Sequence, residues 1–241
     1  MFSHLRYLLL QIRDADDPMR EQEVECFVRA LGTRSALVEP FDLLNFSPSQ
    51  SLLDRTDVVL IGGSGRYSAT DNGKWLARVL DALRELHAQR QPTFASCWGF
   101  QAMARAMGGQ VIHDLDRAEI GTHEIFLTPE GADDPVFSSL SQPFYGQMGH
   151  EDRVLELPPD TTRLAYTKQV ENQAYRFDGL PIYCTQFHPE LNEQDLLRRV
   201  RVYPEYIERI AGMPPELFEE IIHPTPETEE LLLRFVEHVF G

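Results

Sequence analysis

The chain has 241 residues, of which 42% are hydrophobic and 25% charged, and a formal net charge of −16. This length and composition fit a globular protein with a sizeable core, and the negative charge argues against binding to nucleic acid or to anionic membrane surfaces. No apolar run approaches a transmembrane length, and the three cysteines cannot all pair, so we expect a cytoplasmic protein in a reducing compartment.

The first 110 residues alternate between predicted strands and predicted helices. Four short apolar runs are predicted strands, at residues 7–12, 36–38, 58–61 and 92–96. Three segments with apolar residues at helical spacing are predicted helices, and they follow Asp17-Pro18, Asn72-Gly73 and Cys97. Such alternation predicts right-handed crossovers and a parallel sheet, with ligands bound at the carboxyl ends of the strands.

After residue 110 the pattern changes to short strands separated by turn signals. Six segments are predicted strands, at residues 110–113, 123–127, 154–157, 163–166, 173–177 and 180–186. We expect several of them to be antiparallel additions to the sheet. The fold class is therefore α/β, with a central mostly parallel sheet flanked by helices. Residues 1–190 are predicted to form the main domain, and residues 191–241 a helical C-terminal extension packed on it.

The most informative candidate is Cys97, which follows the predicted strand at 92–96 and precedes a predicted helix. Small residues flank this turn, as a tight elbow requires. The N-terminus of a helix favours a thiolate and offers backbone donors to an oxyanion. A lone cysteine is more often a small buried residue, and this is our interpretation of Cys26 and Cys184.

A second motif, Gln186-Phe187-His188-Pro189-Glu190, can complete a reactive site. A cysteine nucleophile needs a base, and the base needs an orienting carboxylate. His188 and Glu190 are two residues apart, so on extended backbone their side chains point to the same side. His188 alone would more often be structural, but together with Glu190 it is the best candidate for the base.

Two further motifs have competing interpretations. Gly62-Gly63 at the end of a predicted strand could be a simple turn or a phosphate loop, but no Gly-Lys-Ser or Gly-Lys-Thr follows, so we favour support of an oxyanion. His150-Glu151-Asp152 suggests a metal site, yet Val154 stands where a second ligating histidine would be. No metal and no cofactor are therefore expected.

Together these motifs resemble those of the class I glutamine amidotransferases, which combine a G-x-C-x-G-x-Q elbow with a later H-P-E. The resemblance covers about the first 190 residues and implies a flavodoxin-like fold. One departure is Ala95, which stands where the pattern usually has glycine. The change would matter if that position required a positive φ, which alanine resists.

The resemblance implies a site and a reaction. The site comprises a catalytic triad, two oxyanion-hole N–H groups and a substrate-binding side chain, assigned in that order to Cys97, His188 and Glu190, to Gly63 and Trp98, and to Gln101. The expected enzyme is a glutaminase-type amidohydrolase that cleaves the γ-carboxamide of glutamine through a γ-glutamyl thioester and releases ammonia. Because the chain contains no ATP-binding loop or synthase domain, it resembles the stand-alone, GMP-synthase-like members.

Several alternatives remain open from the sequence. The leaving group could be larger than ammonia, as in a γ-glutamyl peptide or amide hydrolase, or the chain could be a non-catalytic regulatory binding protein with the same fold. The expected partners are a small glutamine-like substrate and an ammonia-accepting synthetase, and homo-oligomerisation is left open. The extension could pack at the rim of the active site or remote from it.

Overall fold

The computed structural model describes residue 2 and residues 4–241, and within these it contains eleven strands and nine α-helices. The strands are β1 (Tyr7–Gln11), β2 (Val38–Asp42), β3 (Val58–Ile61), β4 (Thr93–Ser96), β5 (Gln110–His113), β6 (Glu119–Leu127), β7 (Phe144–His150), β8 (Asp152–Glu156), β9 (Thr161–Tyr166), β10 (Ala174–Phe177) and β11 (Ile182–Thr185). The helices are α1 (Met19–Ala30), α2 (Gln50–Leu53), α3 (Lys74–Ala88), α4 (Trp98–Ala106), α5 (Pro129–Ala132), α6 (Glu193–Val202), α7 (Pro215–Glu220), α8 (Pro226–Glu229) and α9 (Leu231–Phe240).

Nine strands form one mixed sheet in the order β2-β1-β3-β4-β11-β10-β9-β6-β7. The first five are parallel to one another, and the remaining four are added in antiparallel fashion. Strands β3 and β4 are buried at every position, as expected for parallel strands covered by helices on both faces. The predicted fold class is confirmed, with the carboxyl ends of β3, β4 and β11 side by side.

Helices cover both faces of the parallel half. Leu8 and Leu10 of β1 pack into a core with α3 and α4, whereas Leu9, between them, packs into a second core with α1 and α9. This division follows from the alternation of side chains along a strand. Helix α4 therefore lies directly beneath the edge where β4 ends, which places its first residues at the site described below.

The structure corrects several boundaries. The second strand lies at Val38–Asp42 and not at 36–38, because residues 35–37 form a 3₁₀ turn. Strand β7, rich in glycine and poor in β-branched residues, was not predicted, and its pairing along β6 supplies the stability that its own sequence lacks. Predicted strands 110–113 and 154–157 form a separate two-stranded ribbon, β5 and β8.

The C-terminal extension consists of α6, a π-helical turn at Ile207–Ala211, α7, α8 and α9. Residues from α6, the π-helical turn and α7 form a third apolar cluster with Cys26 of α1 and Ile120 of β6. Further on, Phe235 of α9 packs in the core between the sheet and α1. The division of the chain at residue 190 stays a prediction. In the part of the chain that the structure describes, no helix is long and apolar enough to cross a membrane.

Packing of α9 on the sheet is expected to stabilise the fold. Phe235 is fully buried, with its ring centroid 5.5 Å from that of Phe94 and 5.7 Å from that of Tyr183. We expect Phe235→Ala to lower the free energy of unfolding by about 3–5 kcal/mol, measured by urea denaturation. Phe240→Ala removes the same side chain from a position on α9 that is 37% exposed, and should cost much less. Equal losses in the two variants would contradict the importance of this contact.

Candidate active site

Cys97 occupies a sharp turn between β4 and α4. Its backbone has φ 52° and ψ −104°, a conformation that non-glycine residues rarely adopt and that is typical of functional turns. Its N–H donates to the carbonyl of Thr185 at 2.8 Å, which ties the turn to the end of β11. The thiol is therefore held at the carboxyl edge of the sheet, at the N-terminus of α4.

Gly99 permits the close packing that this turn needs. A Cβ at Gly99 would lie 2.8 Å from Cγ2 of Ile61, so the first turn of α4 approaches β3 too closely for any side chain. The Gly99 N–H donates to the carbonyl of Gly62 at 3.2 Å. Ala95, by contrast, lies within β4 and is not among the residues with positive φ. The departure from the family pattern at Ala95 therefore causes no backbone strain.

The structure brings the three predicted triad residues together. His188 Nδ1 lies 2.7 Å from Glu190 Oε1, and both side chains are buried. The other side of the imidazole faces Gly63, where a Cβ would be 3.1 Å from His188 Cε1 and 3.8 Å from Cys97 Cβ. The imidazole thus lies between the carboxylate and the thiol, in the order that a cysteine-histidine-acid arrangement requires.

Charges around His188 favour its protonated form. Burial is the largest single influence on the His188 pKa and lowers it, but the Glu190 carboxylate and the Cys97 sulfur together outweigh burial and raise this pKa to about 9. Burial would raise the pKa of Glu190, yet the charges of His188 and Arg199 hold it below its ordinary value. A proton shared by this group therefore resides on the imidazole at neutral pH.

Arg199 of α6 is a member of the site that sequence reasoning missed. Its Nη1 lies 3.8 Å from Glu190 Oε1, and its Nε donates to Gln22 Oε1 at 2.9 Å. The residue is only 8% exposed. The sequence held one signal for it, a cationic residue on the same helical face as the apolar Leu196 and Val200.

The predicted oxyanion donors lie at the ends of neighbouring elements. Gly63 follows β3, and Trp98 is the first residue of α4. Among the described residues, neither backbone N–H donates to another protein group. Gly63 lies against both His188 and Cys97, so a side chain there would enter the space beside the sulfur. Two free N–H groups near a thiol are what an oxyanion requires.

Gln101 lies on the other side of Cys97 and is held by two hydrogen bonds. Its Nε2 donates to the carbonyl of Asp152 at 2.7 Å and to Gln186 Oε1 at 3.2 Å. The side chains of the His150-Glu151-Asp152 motif are engaged elsewhere, since His150 Nε2 lies 3.0 Å from a Glu119 carboxylate oxygen. Asp152 Oδ1 lies 2.9 Å from His113 Nδ1, and Glu151 pairs with Arg209.

Two clefts open on either side of the Cys97 sulfur. We call the first the polar cleft, which is lined by Arg66, Trp98, Gln101, Glu151, Asp152 and Arg209. We call the second the apolar cleft, which is lined by Ile120, His188, Leu191, Leu196, Val200 and Tyr203. Cys97 contributes to both clefts, and Tyr206 stands between them. The two sides of the thiol therefore present different chemistry.

The C-terminal extension reaches over these clefts. The Tyr203 hydroxyl donates to the Asp17 carboxylate at 2.8 Å, and the Tyr206 hydroxyl donates to the Gly65 carbonyl at 2.8 Å. Arg209 stacks over the Tyr206 ring at 5.1 Å. The extension thus contacts loops that follow β1 and β3, and it supplies walls to both clefts. A role of these residues in specificity stays a prediction.

Comparisons with known proteins agree with this geometry. Residues 21–196 match the family model for "Glutamine amidotransferase class-I". One relative, gamma-glutamyl peptidase 4 of Arabidopsis thaliana, is 27% identical over 187 residues, covering 72% of this chain and 71% of the relative. Another, the glutamine-hydrolysing GMP synthase subunit of Archaeoglobus fulgidus, is 28% identical over 181 residues, covering 75% of this chain and 87% of the relative.

Solved structures show the same fold. A crystal structure of a glutamine amidotransferase from Thermotoga maritima superimposes with a TM-score of 0.78 at 20% identity, covering 98% of this chain and 97% of that chain. At this identity the likeness concerns the fold, whereas the family match concerns the sequence that builds the site. The chain belongs to the class I glutamine amidotransferase family.

Proposed function

We propose that the chain hydrolyses the γ-carboxamide of glutamine with Cys97 as nucleophile, and releases ammonia and glutamate. The observation that carries this proposal is the placement of a buried imidazole-carboxylate pair beside a thiol on a strained turn at a helix N-terminus. Family membership and a relative that is the glutamine-hydrolysing subunit of a GMP synthase support an amidohydrolase.

In the first step the Cys97 thiolate attacks the carboxamide carbon. With its proton on His188, the sulfur is already in its nucleophilic form, because the Glu190 carboxylate stabilises the imidazolium. The negative charge that develops on the carboxamide oxygen is held by the N–H groups of Gly63 and Trp98. His188 then donates its proton to the leaving nitrogen, and the C–N bond breaks.

In the second step water hydrolyses the γ-glutamyl thioester. His188 takes a proton from the water that attacks the thioester carbon, and the thiolate leaves when the C–S bond breaks. Glutamate is released, and the proton remains on His188. Each turnover therefore returns the imidazolium and thiolate with which it began.

The polar cleft is the proposed site for the amino-acid end of the substrate. Its carboxylates at Glu151 and Asp152 suit an α-ammonium group, and its guanidinium groups at Arg66 and Arg209 suit an α-carboxylate. Gln101 would contact the γ-glutamyl chain where it approaches Cys97. The binding residues thus come from α4, from the region of β7 and β8, and from the C-terminal extension.

A γ-glutamyl peptide or amide is the second candidate substrate. The same thioester would form, and only the leaving amine would differ. A relative that is a gamma-glutamyl peptidase supports this alternative, as does the apolar cleft beside His188. Release of ammonia to a synthetase partner is the alternative that the GMP synthase relative supports. Measuring ammonia and glutamate from glutamine and from γ-glutamyl amides separates these two.

The nucleophile can be identified with a glutamine-mimicking electrophile. We expect the reagent to modify Cys97 and to spare Cys26 and Cys184, because burial raises the pKa of both these thiols to about 12. Mass spectrometry of peptides from the treated protein locates the adduct. Cys97→Ser should abolish both labelling and turnover, whereas Cys184→Ser should retain both. Labelling of another cysteine, or turnover by Cys97→Ser, would reject the assignment.

Substitutions of His188 and Glu190 test the proposed division of labour. His188→Ala should lower kcat by about 10⁵ or more, because the thiol loses its base and the leaving group its acid. Glu190→Gln should cost less, up to about 10⁴ as in the comparable serine triads, since the carboxylate orients and polarises the imidazole. Steady-state kinetics on glutamine measures both. Wild-type kcat in Glu190→Gln would mean that another acid fills this role.

The raised His188 pKa predicts a pH profile. The imidazolium is the proton donor, so kcat/KM should fall as pH rises through about 9, the pKa of His188 in the folded protein. Glu190→Gln removes a carboxylate that raises this pKa, so the alkaline limb of its profile should move to lower pH. Glu25→Gln changes an exposed glutamate on α1 and should leave the limb in place. An unshifted limb in Glu190→Gln would contradict the assignment.

A further inference from the structure

The position of His188 distinguishes the two clefts by the part of the substrate that each can hold. In the proposed reaction, the imidazolium must reach the nitrogen that leaves, so the leaving group must lie on the His188 side of the sulfur. His188 lines the apolar cleft and is not among the described residues that line the polar cleft. The acyl part of the substrate then occupies the polar cleft, and the leaving amine points into the apolar cleft.

The walls of the apolar cleft are unsuited to ammonia. Beyond His188 the cleft is lined by aliphatic side chains of Ile120, Leu191, Leu196 and Val200, each less than 10% exposed in the folded chain. Ammonia has no apolar surface to bury against such walls. An aliphatic group on the leaving nitrogen would bury surface there, and each methylene so buried favours binding by about fourfold.

Three elements build this cleft together. Ile120 comes from β6, Leu191 follows Glu190, and Leu196 and Val200 lie on α6. The Tyr203 hydroxyl, bonded to Asp17, fixes the end of α6 against the loop after β1. The apolar wall is thus part of the packed extension, held at a fixed distance from the sulfur and the imidazole.

We propose that the apolar cleft is a leaving-group site, and that the substrates preferred by this protein are γ-glutamyl amides of aliphatic amines. The inference rests on the proposed function, because it takes the Cys97 thioester as given. The amide C–N bond breaks as the C–S bond forms, the His188 proton goes to the nitrogen, and the neutral amine departs through the apolar cleft. Water then hydrolyses the same thioester that glutamine would give.

A homologous series of substrates tests the preference. The full chain is assayed with glutamine, γ-glutamyl methylamide and γ-glutamyl isobutylamide, and glutamate release is measured for all three. We expect kcat/KM to rise along the series, by about fourfold for each added carbon that is buried. The maximal rate of thioester hydrolysis should be common to all three substrates, because the acyl-enzyme is identical. A kcat/KM that stays level or falls from glutamine to the isobutylamide would overturn the proposal.

A pair of variants on α6 connects the preference to the cleft. Val200→Phe narrows the apolar cleft and should lower the isobutylamide-to-glutamine ratio of kcat/KM at least tenfold. Val202→Phe makes the same change on the same helix at a position that is 38% exposed, and should leave the ratio unchanged. If Val200→Phe does not fold, Val200→Thr keeps the shape, adds a hydroxyl and should lower the ratio severalfold. A ratio unaffected at position 200 would reject the leaving-group site.

Failure of the inference and failure of the proposed function give different results. Mass spectrometry after rapid acid quenching detects a γ-glutamyl adduct on Cys97 with any substrate that reacts. An adduct from glutamine, together with a flat substrate series, rejects the leaving-group site and leaves the glutaminase reaction standing. No adduct and no Cys97-dependent glutamate from any of the three substrates rejects the proposed function itself.

Discussion

The close approach of α4 to β3 is the constraint on which the site depends. Gly99 lets the first turn of the helix lie against Ile61, and this contact forces the chain through the left-handed turn at Cys97. The bond from the Cys97 N–H to Thr185 ties the same turn to β11, the strand that leads to His188. Nucleophile and base are therefore placed by adjacent parallel strands that end at one edge.

The charges behind the thiol depend on one another because they are buried. Glu190 is fully buried, and an isolated carboxylate at such a position would be costly. His188 and Arg199 supply the positive charges that keep Glu190 ionised, and Gln22 of α1 holds Arg199 in place. Helix α6 thus contributes to the electrostatics of a site whose proposed reacting groups all precede it in the chain.

The extension also decides which surfaces surround the sulfur. Four arginines, Arg13, Arg66, Arg199 and Arg209, line the two clefts of a protein whose formal net charge is −16. Two of these arginines, together with the aliphatic residues of α6, follow residue 190. A core that ended at Glu190 would keep the proposed triad but lose one wall of each cleft, so substrate selection and chemistry are carried by different parts of the chain.

The sequence by itself determined the α/β fold, the elbow at Cys97 and the pairing of His188 with Glu190, because these depend on local patterns: apolar runs, small residues at a turn, and side chains two residues apart. It did not reveal β7, whose glycine-rich sequence is a strand only because β6 pairs with it. Nor did it reveal Arg199 or the division between a polar and an apolar cleft. Those features depend on contacts between residues far apart in the chain, and only the tertiary structure decided them.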